Sequence, residues 1–231
     1  MITLVHYPLS VASRFTRLIL GECEIVPELV EEKFWERREE FLMLNPAGTL
    51  PVLFENEGAP ICGAWAVSEY LDETHGFALA ERRLLPPNAE QRGEIRRLTE
   101  WFLVKFEEDV TGYIVEEKVV KRQRARSNNG SSAPDSRLLR AARLNIRTHL
   151  AYIDHILEQR NWLAGDRISY ADLAAAAALS VADYLNEVPW EEAGEAKVWY
   201  MRLKSRPTFR PLLADQLFGM RPPEHYADLD F

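Results

Sequence analysis

The feature that most constrains this chain is a change of hydrophobic period near residue 76. Before it, short β-branched and aromatic runs alternate with stretches of helical spacing. After it, the long segments repeat their apolar residues at three- and four-residue steps. A chain patterned in this way suits a small sheet covered by helices, followed by a wholly helical unit.

In the first part, ITLVHY has strand composition, and SVASRFTRLILGECE places Phe15, Leu18, Ile19 and Cys23 on one helical face. PELVEEKF is a weaker strand candidate, and REEFLMLNPAG reads as a short helix stopped by Asn45, Pro46 and Gly48. TLPVLFE and APICG form a hairpin pattern around Asn56-Glu57-Gly58, and AWAVSEYLDETHG is a helix ended by Gly76. The expected order is β-α-β-α-β-β-α over residues 1–76, then a Pro86-Pro87 linker over 77–88, then an all-helical domain over 89–231. Ile95, Leu98, Trp101, Phe102, Phe106, Val110, Tyr113 and Ile114 predict one long helix, and SRLLRAARLNIRTHLAYIDHILEQ predicts another. A polar loop near 127–136 separates them.

Composition narrows the function classes. The net charge of −8 argues against a nucleic-acid binder, which would more often be basic. Cys23 and Cys62 are too few, and wrongly spaced, for a disulfide framework. The opening MITLVHYPL carries no charged leader before an apolar core, so no secretory signal is expected and a soluble cytoplasmic protein is. The longest apolar run, LAAAAALSVADYL, is too short to span a bilayer, so no membrane insertion is expected. His149 and His155 lie six apart on one predicted helix, a spacing that does not bring them to one face, and no metal site is expected.

This layout resembles the glutathione transferase superfamily, with a thioredoxin-like N-terminal domain and an all-helical C-terminal domain. Three groups of residues carry the likeness, and a fourth is where the family's pattern is tested. YPLSVASRFTRLIL looks like the family's first strand-to-helix turn, where a hydroxyl or thiol faces the glutathione sulfur, and Ser10 and Ser13 are the matching candidates. Either serine equally suits a helix cap, and both roles are compatible. NPAGTLPVL resembles the segment with the family's cis-proline, here Pro51, beside which Leu50 would offer backbone hydrogen bonds. GDRISYADLAAAAAL resembles the family's buried capping box, with Ser169 and Asp172 reciprocal and Ile168 stapled onto Leu173.

The fourth group departs from the pattern. Where the family carries an acid or amide followed by Ser to hold the γ-glutamyl end of glutathione, this chain has Gly63-Ala64. A hydrogen bond to a charged group is worth about 1.5–3 kcal/mol, so losing two would weaken binding by roughly 10²–10⁴-fold. The resemblance therefore implies a degenerate ligand site with no glutathione cofactor and no catalytic residue. The alternative, a serine-type glutathione transferase or glutathione-dependent reductase built on Ser10 or Ser13, remains open at this point.

If the small-molecule site is disarmed, surfaces carry the function. KFWERREEF offers Trp35, Arg37 and Arg38 as interface anchors, unless Trp35 packs on its own domain. KVVKRQRARS gathers Lys118, Lys121, Arg122, Arg124 and Arg126, a pattern of either a solvated helix end or a patch that steers an acidic partner. The ending FGMRPPEHYADLDF alternates apolar residues with acids, so Tyr226, Asp228, Asp230 and Phe231 read as a docking peptide or as a segment folded back on its domain. VPWEEAGEAKVWYMRLKSRPTFRPLLAD and HYADLDF resemble the transferase-like division proteins of alphaproteobacteria. That narrower likeness implies a homodimer that binds and bridges FtsZ filaments at midcell, with other division proteins as further partners.

Overall fold

The computed structural model describes residues 1–127 and 133–229. Residues 128–132 of the polar loop, and Asp230 and Phe231 of the expected docking segment, lie outside the described residues. Strand β1 (Ile2–His6) leads through the tight turn at Tyr7-Pro8-Leu9 into helix α1 (Val11–Glu22). Strand β2 (Glu28–Glu31), helix α2 (Glu39–Leu44), the hairpin β3 (Val52–Glu55) and β4 (Ile61–Cys62), and helix α3 (Ala64–Thr74) follow. The sheet order is β2-β1-β3-β4. β1 and β2 are parallel, and the other neighbours are antiparallel. β2 is an edge strand with all of its residues exposed, which explains why ELVE lacks the alternation of a half-buried strand.

The helical part begins with α4 (Ala89–Glu100), whose Asn88 cap accepts from the Gln91 amide at 2.9 Å. It continues through three wider, π-type turns, Trp101–Lys105, Glu107–Thr111 and Glu116–Val120, around α5 (Gly112–Val115) and into α6 (Lys121–Ser127). Apolar spacing predicts an ordinary helix here, and the wide turns correct that expectation. Gly112 permits one of them: its N–H bonds the Glu107 carbonyl, and a Cβ there would lie 2.8 Å from that same oxygen. Helices α7 (Ser136–Leu157), α8 (Tyr170–Tyr184), α9 (Glu195–Lys204) and α10 (Arg210–Leu213) complete the set. No helix among the described residues is long and apolar enough to cross a membrane.

Every residue of α8 is buried, and its run of alanines lets neighbouring helices come close. The capping box holds its start. Asp172 accepts from the Ser169 amide at 2.9 Å and hydroxyl at 3.0 Å, from the Leu163 amide at 2.9 Å and from the Trp199 indole at 3.0 Å. Leu173 is buried, and Ile168 packs against the same core.

α1 packs on α8 through a buried arginine. Arg14 donates to the Pro8 carbonyl at 2.6 Å, to Ser180 Oγ at 2.8 Å and to the Tyr226 hydroxyl at 2.9 Å, with Asp215 at 3.4 Å. Tyr226 is fully buried, donates to the Leu212 carbonyl at 3.0 Å and meets the Tyr184 ring edge-on at 5.1 Å. Tyr226 is thus a core residue and not an exposed anchor, because its hydroxyl completes the shell of a charge that water cannot reach. The chain around it is pinned as well: Lys204 Nζ donates to the carbonyls of His225 at 3.1 Å and Asp228 at 2.6 Å.

Candidate functional site

The strand register assembles the site. Val52 pairs with Val5 on one side and Cys62 on the other. The turn after β1, the residues before β3 and those after β4 therefore meet at one edge of the sheet. Leu50–Pro51 is a cis peptide, and the Pro51 carbonyl accepts the Gly63 amide at 2.9 Å. Ser10, Leu50, Pro51, Gly63 and Ala64, read from sequence as one site, are thus brought to one edge.

Its serines are engaged locally. Ser10 caps α1, its Oγ accepting from the Ser13 amide at 3.2 Å. Ser13 is fully buried and accepts from the Tyr7 amide at 3.3 Å, which fixes the turn. Ser13 is a scaffold residue, and Ser10 is the hydroxyl left at the cleft.

Gly63 stands before α3 with φ +89°, in the left-handed region that favours glycine, and α3 has no side-chain cap. A Cβ at Gly63 would meet nothing within 4 Å, so there is room for a side chain that the chain does not supply. The amides at the start of α3 suit a carboxylate, but neither Gly63 nor Ala64 has a side chain that can hold an ammonium.

On the helical side, a cavity of about 180 Å³ opens between the α1 start and the wide turns, lined by Ser10, Phe34, Glu107, Thr111 and Glu116 among others. Pro51, Gly63 and Ala64 do not line it. Glu107 is exposed to solvent, and partial loss of hydration moves its pKa up. A carboxylate on the same wall as Ser10 disfavours a thiolate at that hydroxyl through like-charge repulsion. No acidic side chain stands at Gly63 or Ala64, and Glu107 shares the cavity wall with Ser10.

The aromatic loop packs inward. Trp35 lies edge-on to Tyr7 at 4.8 Å and to Phe34 at 5.1 Å, and the Tyr7 hydroxyl accepts from Gln123 of α6 at 3.0 Å. Arg38 is paired with the buried Glu32, and Arg37 folds over Gly48. In the basic helix, Lys121 is spent on Glu117 at 2.6 Å, and Arg124 on Glu116 at 3.1 Å. Lys118 bonds the Leu185 carbonyl at 2.8 Å and pairs with Glu187. Arg126 stacks over Phe218, an 89% exposed side chain that sequence patterning passed over. Its signal was the FG pair between Leu217 and Met220, a turn pattern with an aromatic at its tip.

Comparison with known proteins agrees with this architecture. Residues 9–74 match the glutathione S-transferase N-terminal domain, and residues 131–207 match the glutathione S-transferase C-terminal domain. The chain is 46% identical over 232 residues to FtsZ-localized protein A of Caulobacter vibrioides (strain NA1000 / CB15N), covering 99% of this chain and 98% of that protein. Among solved structures, a glutathione S-transferase from Sinorhizobium meliloti 1021 superposes with a TM-score of 0.96 at 57% identity, with 100% of each chain covered. FzlA from C. crescentus superposes with a TM-score of 0.91 at 45% identity, covering 100% of this chain and 99% of that one.

Proposed function

Because the chain belongs to the glutathione S-transferase family and lacks that fold's charged grip at Gly63-Ala64, we propose that it is a transferase-like division protein that associates with FtsZ. The observation that carries this reading is the near-full-length identity to a protein named for its localisation to FtsZ. The site geometry supports it from the other side: Ser13 is buried, Ser10 caps a helix, and Glu107 shares a cavity wall with Ser10. Binding, and not glutathione chemistry, is what this arrangement suits.

The proposal extends to a two-fold dimer that bridges filaments. A closed dimer presents each binding patch twice, so a weak contact with one filament gains avidity from a second. The division site is the corresponding location. Co-sedimentation with assembled FtsZ tests the association, and calorimetry with millimolar glutathione tests the disarmed site. Pelleting with filaments and no heat with glutathione is the expected pair of results. Protein left in the supernatant, with saturable glutathione heat, would return the chain to the serine-type transferases.

A further inference from the structure

The turn that carries Phe218 is held rigidly. Gly219 has φ +74°, Leu217 and Met220 form an isolated antiparallel bridge, and the buried Tyr184 hydroxyl ties both strands of the turn. It accepts from the Leu217 amide at 3.0 Å and donates to the Met220 carbonyl at 3.3 Å. Phe218 is thereby presented to solvent on a fixed support, an ordering cost met before any partner arrives. The Arg126 guanidinium lies over its ring, 5.3 Å from the centroid, and a Cβ at Gly219 would collide with that guanidinium at 2.6 Å.

One helical turn before Arg126, Arg122 lines a cleft of about 390 Å³ together with Lys118, Glu117, Pro134 and Met220. Glu117 is neutralised by Lys121 at 2.6 Å, and Lys118 by Glu187. Arg122 is exposed, and among the described residues no acid pairs with it. Arg122 and Arg126 stand four apart on α6 and so share a face. A cleft with Pro134 and Met220 among charged walls, an exposed aromatic and two arginines thus adjoin, on a protein whose net charge is −8. Local positive charge against that background selects acidic partners.

We propose that the Phe218 turn and the Arg122–Arg126 face of α6 form one docking surface for an acidic protein segment with an apolar side chain among its carboxylates. The carboxylates meet Arg122 and the open side of Arg126, and the apolar side chain packs on the exposed Phe218 ring and Met220 at the cleft's edge. This deepens the division-protein reading and rests on it only for the identity of the partner.

Two arms separate the two claims. In the first, the full-length protein is titrated into a labelled peptide of sequence DELFD and into its charge-reversed counterpart KKLFK. Binding to the acidic peptide alone is expected, weakening with salt and falling at least about tenfold in Arg122→Glu and Phe218→Ser, while Arg122→Lys keeps most of it. In the second, the same variants are co-sedimented with assembled FtsZ. Unchanged thermal midpoints show that the variants are folded. Equal binding of the two peptides, or no effect of either substitution on peptide and filament binding, overturns the docking surface while leaving wild-type pelleting intact. Selective peptide binding without pelleting overturns the FtsZ assignment and keeps the surface.

Discussion

His6 illustrates how one buried side chain shapes the response to pH. Burial, with the nearby Arg17 charge adding to it, lowers its pKa from 6.5 to about 4. Its Nδ1 has no hydrogen-bond partner among the described residues. Between those values the unfolded chain binds the proton and the folded one does not. Stability is therefore fully present above pH 6.5 and is lost as pH falls toward 4, by roughly 3 kcal/mol over the window. Replacing His6 with Leu is expected to flatten that limb of a urea-midpoint-against-pH curve; an unchanged slope would count against the assignment. The ligand edge yields a second prediction. Ala64→Ser supplies one donor at the start of α3 and is expected to bring glutathione binding about tenfold closer to the calorimetric range, read as heat at tens of millimolar glutathione where the unsubstituted protein gives none, from one hydrogen bond to a charged group. No heat from the variant either would mean that the edge does not present a ligand-shaped site.

At the scale of elements, the alternation before Gly76, the hairpin and the capping box were legible because they depend on neighbours close in sequence. Asp172 lies three residues from Ser169, and both hydrogen bonds between them follow from local geometry. Asp172→Ala would strand the Leu163, Ser169 and Trp199 donors, and a loss of about 3 kcal/mol or more is expected in chemical denaturation. A loss below about 1 kcal/mol would show that the start of α8 does not depend on the box. The wide turns between Trp101 and Val120 were not legible, since an inserted residue leaves apolar residues spaced much as before, with Gly112 the one hint. The closing segment was misleading for another reason. Its mixture of aromatics and acids suits a free peptide, but the group that buries Tyr226 is Arg14, 212 positions away. The basic run suited either a solvated helix end or a partner patch, and most of its charges are met by Glu116, Glu117 and Glu187. Site residues could be enumerated from sequence; their engagement depended on contacts across the fold.

For the whole molecule, the proposed bridging role requires two copies. Sedimentation velocity is expected to show a dimer that dissociates on dilution, and electron microscopy to show bundled filaments only where the dimer persists. Bundling by a strictly monomeric species would overturn the two-patch account. The first and last parts of the chain are joined through Arg14, and this bears on synthesis. A ribosome delivers α1 long before Asp215 and Tyr226, so the guanidinium waits, hydrated, for partners 201 and 212 positions downstream. The N-terminal layer cannot complete this contact with α8 until the segment carrying Asp215 and Tyr226 has been made. A chain lacking the segment from Asp215 to Tyr226 would keep a guanidinium that the closed form neither hydrates nor neutralises, so the seating of α1 on α8 is conditional on that distant segment.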